Sequence, residues 1–146
     1  MPPTIWTVGY EKLLPPALVT ELEAAGVRRV IDVRFRPQSR RPGMSKTRLG
    51  QLLGDHGIAY ENRRELGTPP DMRWLFHAGR LHEARAAYRE HVARETPEAI
   101  DELAAELGDA PPTALLCLEA DPAGCHRRVI TDALRERRPG LRVVDL

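Results

Sequence analysis

Residues 4–33 read TIWTVGYEKLLPPALVTELEAAGVRRVIDV and predict a strand, a helix and a second strand in succession. The first β-rich run, 4–8, ends at Gly9. Proline then precedes helically spaced apolar residues and glycine follows them, which is typical of an amphipathic helix. The second run, 30–33, is nearly continuous in apolar residues, as expected for a parallel strand covered on both faces. Together they predict a βαβ unit with a right-handed crossover.

Downstream of this unit, strand and helix patterns continue to alternate until the chain ends. Thr96 and Pro97 have the pattern of a cap and first turn for the last helix before the buried strand. The alternation predicts one α/β domain over residues 1–146, a three-layer fold with a mainly parallel sheet and helices on both faces. Further strands are expected at 58–60, 115–118 and 141–144, and helices at 45–57, 71–107 (as two or three) and 129–134.

The composition is that of an ordinary globular domain. The 146 residues are 42% apolar and 29% charged, and the net charge of +1 provides no overall attraction for a polyanion. A bound nucleic acid would therefore need a local basic patch. No apolar run is long enough for a membrane span, and the start, MPPT, lacks the features of a signal peptide, so we expect no membrane association and a cytoplasmic location. In that compartment the two cysteines are expected to be thiols.

The segment 117–128, CLEADPAGCHRR, holds the densest set of reactive side chains. Cys125 and His126 lie one helical turn before an apolar stripe, so we expect both to face the sheet from the first turn of their helix. The positive end of a helix dipole favours a thiolate and binds anions, and a cationic Arg127 would act in the same direction.

Several other interpretations of this segment remain open. Cys125 can be a small buried hydrophobe beside a satisfied core histidine, His126. Cys117 and Cys125 can form a redox pair, although seven residues separate them, unlike the compact C-x-x-C motif. A metal site of both cysteines, His126 and a carboxylate matches no specific zinc spacing. We therefore assign neither a metal nor a cofactor. A cysteine-dependent phosphatase is excluded, because Arg127 follows Cys125 more closely than the arginine of that loop does.

A second cluster follows the predicted strand at 30–33. Asp32 and Arg34 point to the same side by strand alternation, and a polar pair at the end of an apolar strand requires a partner or a function. The pair is either a mutual ion pair or part of an arginine clamp on a phosphate or carboxylate. The basic run 34–41 supports the clamp.

Both clusters follow predicted parallel strands, and open α/β sheets bind ligands outside the carboxyl ends of their strands. We therefore expect the two clusters to share one cleft. The candidate catalytic residues are Asp32, Glu119, Cys125 and His126. The candidate substrate-binding residues are Gly9, Tyr10, Arg34, Ser39, Arg40, Cys117 and Arg127.

Taken together, these segments are similar to the bacterial and archaeal domain of unknown function 488. The resemblance extends from near the start to the last helix, and it implies a compact α/β fold without supplying a function. The segments that carry it are 7–10, 32–34 with Pro37 and Ser39-Arg40, Tyr60 with 66–67, and 117–122 with 125–127.

Three hypotheses of different classes follow. The first is a small enzyme that acts on an anionic substrate, such as a nucleotide or nucleic acid, with Cys125 as nucleophile or polar anchor and His126 as proton carrier. Arg34 and Arg127 would hold the anion, and Asp32 or Glu119 would orient one of them. The second is a non-catalytic module that binds a nucleotide or nucleic-acid end. The third is a protein-interaction subunit, with unknown partners, in which the polar residues form an internal network.

Overall fold

The computed structural model describes residues 3–146, which contain five strands and six α-helices. The strands are β1 (Thr4–Gly9), β2 (Arg29–Asp32), β3 (Ala59–Asn62), β4 (Thr113–Cys117) and β5 (Arg142–Asp145). The helices are α1 (Pro15–Ala24), α2 (Lys46–Asp55), α3 (Pro70–His77), α4 (Leu81–Glu95), α5 (Pro97–Glu106) and α6 (Arg127–Arg137), and 3₁₀ turns lie at Arg64–Leu66 and Pro122–Gly124. Met1 and Pro2, which open the segment in which no signal peptide is expected, lie outside the described residues.

The strands form one sheet in the order β3-β2-β4-β1-β5. Every pairing within the described residues is parallel, which confirms the predicted parallel sheet. Gly9 is in register with Cys117, and Asp32 is in register with Leu116. Because the strands are parallel, the chain leaves all of them at the same edge of the sheet, and the predicted site residues follow at that edge.

Helices cover both faces of the sheet and confirm the three-layer arrangement. One core contains side chains from α1 and α2, and the other contains side chains from α3, α4, α5 and α6. Strand β4 is buried along its whole length, in agreement with its unbroken apolar sequence. Of the helices in residues 3–146, none is both long enough and apolar enough to cross a bilayer.

Residues typical of helix ends marked where helices begin and end, but they did not predict the side-chain hydrogen bonds there. Gly26 follows α1 with a φ of 78°, the left-handed conformation that glycine adopts without strain. Thr96 precedes α5 as predicted, but its buried hydroxyl has no hydrogen-bond partner among the described residues, so the predicted side-chain cap is wrong. Ser45 precedes α2, yet its hydroxyl accepts a hydrogen bond from the Ser39 amide instead of capping the helix.

The start of α6 also differs from the prediction. The helix begins at Arg127, so Cys125 and His126 lie just before its first turn and not within it. The reason is the 3₁₀ turn Pro122–Gly124, in which the Cys125 amide donates to the Pro122 carbonyl and leaves Cys125 extended. The two side chains are nevertheless buried against the sheet, as predicted.

Candidate functional site

The carboxyl end of β4 is the point at which the chain changes faces of the sheet. The helices that follow β1 and β2 lie on one face, whereas α6, which follows β4, lies on the other. Strand β4 lies between those two strands, so the loops that leave the three strands diverge. Such divergence opens a crevice, the usual ligand position in open α/β sheets.

A cavity of about 330 Å³ lies at this crevice. Its volume is at the lower end of the range for small-molecule sites, about 300–1,000 Å³. The stretches near Arg34 and Cys125, distant in the sequence, meet in its wall. The sequence-predicted candidates that line it are Tyr10, Arg34, Ser39, Arg40, Cys117, Glu119, Cys125 and His126. The other candidates, Gly9, Asp32 and Arg127, do not line it.

Cys125 and His126 form a hydrogen-bonded pair in the cavity wall. Cys125 Sγ lies 3.4 Å from His126 Nδ1, and His126 Nε2 lies 2.7 Å from the Val33 carbonyl oxygen. A carbonyl only accepts hydrogen bonds, so Nε2 carries a proton and Nδ1 is the atom that can take the proton of the thiol. Edge-to-face contact with the Tyr88 ring, at 5.1 Å between centroids, holds the imidazole in this orientation.

The electrostatics of this pair favour a thiolate. Burial by itself would raise the pKa of the Cys125 thiol, but the Cys117 thiol, His126 and Arg127 together lower that pKa well below its ordinary value. Burial would likewise lower the pKa of His126, but the adjacent Cys125 and the Val33 carbonyl raise it. The two shifts are opposite in sign, so the thiolate and the imidazolium stabilise each other.

Cys117 and Glu119 lie beside this pair. Burial and the neighbouring Cys125 raise the pKa of the Cys117 thiol well above its ordinary value, and burial and the same neighbour raise the pKa of Glu119. Neither Cys117 nor Cys125 forms a disulfide within residues 3–146. Cys117, Glu119 and Cys125 each offer one ligand atom, and these atoms lie within 4.8 Å of one another. Among residues 3–146 this is the one such group that could hold a metal ion.

Asp32 and Arg34 form the mutual ion pair that was one of the two interpretations of their spacing. Arg34 Nε and Nη2 donate to the Asp32 carboxylate, with Nη2 2.7 Å from Oδ2. Arg34 Nη1 donates to the Tyr10 hydroxyl at 3.2 Å and to the Met44 carbonyl at 2.7 Å, and the Tyr60 hydroxyl donates to Asp32. Arg34 therefore forms part of the cavity wall with its guanidinium nitrogens already occupied.

Arg127 lies in the interior, behind the cavity wall. Its side chain is fully buried, and Nη2 donates to the Glu119 carbonyl at 2.6 Å. Nε and Nη1 have no hydrogen-bond partner, and no carboxylate forms an ion pair with Arg127 among residues 3–146. The sequence placed Arg127 among the anion-binding residues. In the structure it holds the loop after β4 and directs its charge toward the two thiols.

A protein-family model described as "Domain of unknown function DUF488" matches residues 16–134. The chain belongs to the DUF488 family. The match includes both clusters from which the site was predicted but begins after Gly9 and Tyr10. Comparison with curated proteins and with solved structures gives no match. The family assignment made from the sequence is confirmed, and a function for this DUF488 domain has to be inferred from its site.

Sequence reasoning missed cationic residues of the DUF488 domain that also line the cavity. Arg36 follows β2, and Arg73 comes from α3. Together with Arg40, their guanidinium groups are exposed and form no hydrogen bond or ion pair with any described residue. Arg36 was visible in the sequence as part of the basic run 34–41. No sequence signal pointed to Arg73, because α3 is positioned by its packing against α4, a contact that local patterns do not reveal.

The absence of a side chain at Gly9 lets two loops of the DUF488 domain approach each other closely. A Cβ atom at Gly9 would lie well inside contact distance of the Glu119 carbonyl, because the loops after β1 and β4 pass closely there. We expect Gly9→Ala to lower the free energy of unfolding by about 1–3 kcal/mol, as overpacking does. Chemical denaturation provides the measurement. The control is Gly54→Ala in α2, where a Cβ meets nothing within 4 Å and should stabilise the helix by about 0.5–1 kcal/mol. Equal stability of Gly9→Ala and the native protein would contradict the close approach.

Proposed function

We propose that this protein is a small enzyme that acts on an anionic, nucleotide-like substrate, with Cys125 as its nucleophile. The observation that carries the proposal is the alignment of Cys125 Sγ, the His126 ring and the Val33 carbonyl at the cavity wall. A thiol next to a histidine whose other nitrogen is fixed by a hydrogen bond is the arrangement that activates nucleophilic cysteines. His126 takes the proton of Cys125 and holds it at Nδ1.

The burial of Arg127 supports a thiolate at this position. A fully buried guanidinium without a carboxylate partner is costly unless another negative charge compensates it. Cys125 is the group on which Arg127 acts electrostatically and whose pKa is lowered. A thiolate at Cys125 therefore provides a negative charge that both Arg127 and protonated His126 stabilise.

The charge of the cavity wall supports an anionic substrate. Arg36, Arg40 and Arg73 have free guanidinium groups, and Glu119 is the one carboxylate among the described residues of the wall. Guanidinium groups bind phosphates and carboxylates through paired hydrogen bonds. We assign substrate binding to these arginines, and we assign to Arg34 the role of fixing the wall through Asp32 and Tyr10.

Glu119 is the candidate proton donor. Its raised pKa keeps the carboxyl protonated closer to neutral pH than an ordinary glutamate, and its side chain lines the cavity beside Cys125. A protonated carboxyl at this position can donate to the leaving group after sulfur attacks. Cys117 remains a thiol and supports the Cys125 thiolate. Ser39 and Tyr10 complete the wall.

The proposal is tested by the charge preference of alkylation. Free cysteine reacts faster with neutral iodoacetamide than with anionic iodoacetate, because the thiolate repels the anion. In this protein we expect iodoacetate to be the faster reagent at Cys125, since the unpaired arginines concentrate anions at the cavity. Mass spectrometry of the modified peptide measures both rates. Arg40→Gln combined with Arg73→Gln should reverse the preference, whereas Arg89→Gln, an exposed and unpaired arginine outside the cavity, should not.

Two results would contradict the proposal. The first is faster reaction with iodoacetamide in the native protein, which would contradict an anionic substrate. The second is alkylation that begins only after a chelator is added. That result would replace the nucleophile with a metal site at Cys117, Glu119 and Cys125, whose donor atoms are close enough for one ion.

A second candidate is a binding module without turnover. Two observations favour it: the Cys125 side chain is only 1% exposed, and the free arginines suffice to hold an anion without chemistry. This candidate predicts that Cys125→Ser retains the full affinity for mononucleotides, and that binding weakens steeply with salt. Incubation of nucleotides with the native protein and with Cys125→Ser, followed by chromatography of the products, distinguishes the two candidates.

A further inference from the structure

A second depression adjoins the cavity on the outer side of the loop after β2. Its volume is about 470 Å³, and it shares Phe35, Arg36 and Gln38 with the cavity. The remaining residues that line it are Pro37, Lys46, Asn62 and Arg64. We call this depression the basic groove. A ligand held in the cavity can continue into the basic groove past the shared residues.

The basic groove is cationic and has no compensating acid. Arg36, Lys46 and Arg64 contribute positive charge, and no carboxylate belongs to the described residues that line it. All three side chains are exposed and form no ion pair with any residue in 3–146. Lys46 is also the first residue of α2, whose first turn contains no acidic residue. The helix dipole therefore adds to the positive potential.

The basic groove is also lined by one aromatic side chain, Phe35. The Arg64 guanidinium carbon lies 4.2 Å from the centre of the Phe35 ring, which is a cation–π contact. Phe35 lines both depressions and is half-buried. Exposed cations beside an aromatic ring are features with which proteins bind single-stranded nucleic acids, where cations follow the phosphates and aromatic rings stack on bases.

We propose that the cavity and the basic groove together bind a single-stranded nucleic acid, with one nucleotide in the cavity and the next phosphate in the groove. This inference rests on the proposed function, because it takes the cavity as the position of the reacting group, and it extends that function from nucleotides to a strand. A paired base cannot enter the cavity unless it leaves its duplex, so a single strand binds more tightly than a duplex.

Fluorescence anisotropy of a labelled eight-nucleotide single strand and of a labelled mononucleotide tests the inference. We expect the native protein to bind the single strand more tightly. Lys46→Glu combined with Arg64→Glu should weaken strand binding by on the order of tenfold and leave mononucleotide binding unchanged. The dependence of log affinity on log salt should become shallower by about 0.7 for each phosphate that the variant no longer neutralises. The control is Arg142→Glu, an exposed residue at the start of β5 and so at the opposite edge of the sheet.

Phe35→Leu separates stacking from charge. This substitution keeps an apolar side chain in the wall but removes the ring. It should weaken binding of the single strand and leave binding of inorganic polyphosphate of the same charge unaffected. Circular dichroism and thermal unfolding establish that each variant is folded. Phe35→Tyr, which keeps a ring, should bind the single strand as the native protein does if Phe35 acts by stacking.

The outcomes separate this inference from the proposed function. The inference is overturned if the single strand binds no more tightly than a mononucleotide. It is also overturned if Lys46→Glu with Arg64→Glu weakens strand binding no more than Arg142→Glu does. Equal binding of polyphosphate and strand overturns it in favour of a polyphosphate ligand. If alkylation contradicts a thiolate at Cys125 but the strand still binds through the groove, catalysis fails while the inference holds.

Discussion

His126→Gln is expected to raise the pKa of the Cys125 thiol and so to reduce the amount of thiolate at a given pH. The substitution removes the cation whose Nδ1 lies 3.4 Å from Sγ, and His126 is among the groups that lower the Cys125 pKa. With that charge gone, only Cys117 and Arg127 act against burial, and the pKa of the thiol rises. The far-ultraviolet absorbance of thiolates, recorded against pH, measures the change without requiring a reagent to reach the buried sulfur. Cys125→Ser supplies the baseline.

The sign of the pH dependence follows from the two shifts. Because the pKa of Cys125 is lowered, the native thiolate is lost only when the solution becomes acidic enough to reach that pKa. Because the pKa of His126 is raised, its imidazolium is lost only as the pH rises above the usual histidine range. The thiolate–imidazolium pair should therefore be present between the lowered pKa of Cys125 and the raised pKa of His126. His82→Gln, an exposed histidine outside the cavity, should leave the absorbance curve unchanged. A native protein without thiolate absorbance below alkaline pH would contradict the pair.

Asp32→Asn is expected to cause a large loss of stability, about 3–5 kcal/mol in the free energy of unfolding. The carboxylate is fully buried, and it receives hydrogen bonds from Arg34 and Tyr60. An amide of the same shape leaves the Arg34 guanidinium, which is only 7% exposed, without a counter-charge. Removing one partner of a buried ion pair has a cost of this size, because the other charge stays desolvated. Urea denaturation monitored by circular dichroism provides the measurement.

Two controls make the Asp32 result specific. Asp101→Asn breaks an ion pair with Arg137 in which the aspartate is 64% exposed, and it should change stability by about 0–1 kcal/mol. Asp32→Asn combined with Arg34→Met should recover part of the loss, since the double variant no longer buries an unpaired charge. A double variant less stable than Asp32→Asn alone would show that Arg34 contributes through its bonds to Tyr10 and Met44 and not through the ion pair.

Most of the fold could be predicted from local patterns in the sequence. A nearly continuous apolar run at 30–33 and a continuous one at 115–118 predicted strands buried on both faces, and proline and glycine marked the ends of α1. Alternation of these elements requires parallel strands, since each helix returns the chain to the same end of the sheet. Details of side-chain hydrogen bonding were less predictable. The Thr96 hydroxyl caps no amide among residues 3–146, because the φ of −135° and ψ of 40° at Thr96 are not the extended conformation of a side-chain cap.

The amino-acid sequence by itself determined which edge of the sheet carries the polar residues, because parallel strands bring their following loops together whatever the side chains are. The order of strands and loops in the sequence was therefore enough to predict that the residues near Arg34 and Cys125 share one cleft. Only the tertiary structure decided what each charged side chain does there. Arg34 is occupied by Asp32, Arg127 is buried behind the wall, and Arg73 reaches the cavity from a helix far along the chain. The physical reason is that a long, flexible side chain takes its direction from contacts across the core, and those contacts join residues that are distant in sequence.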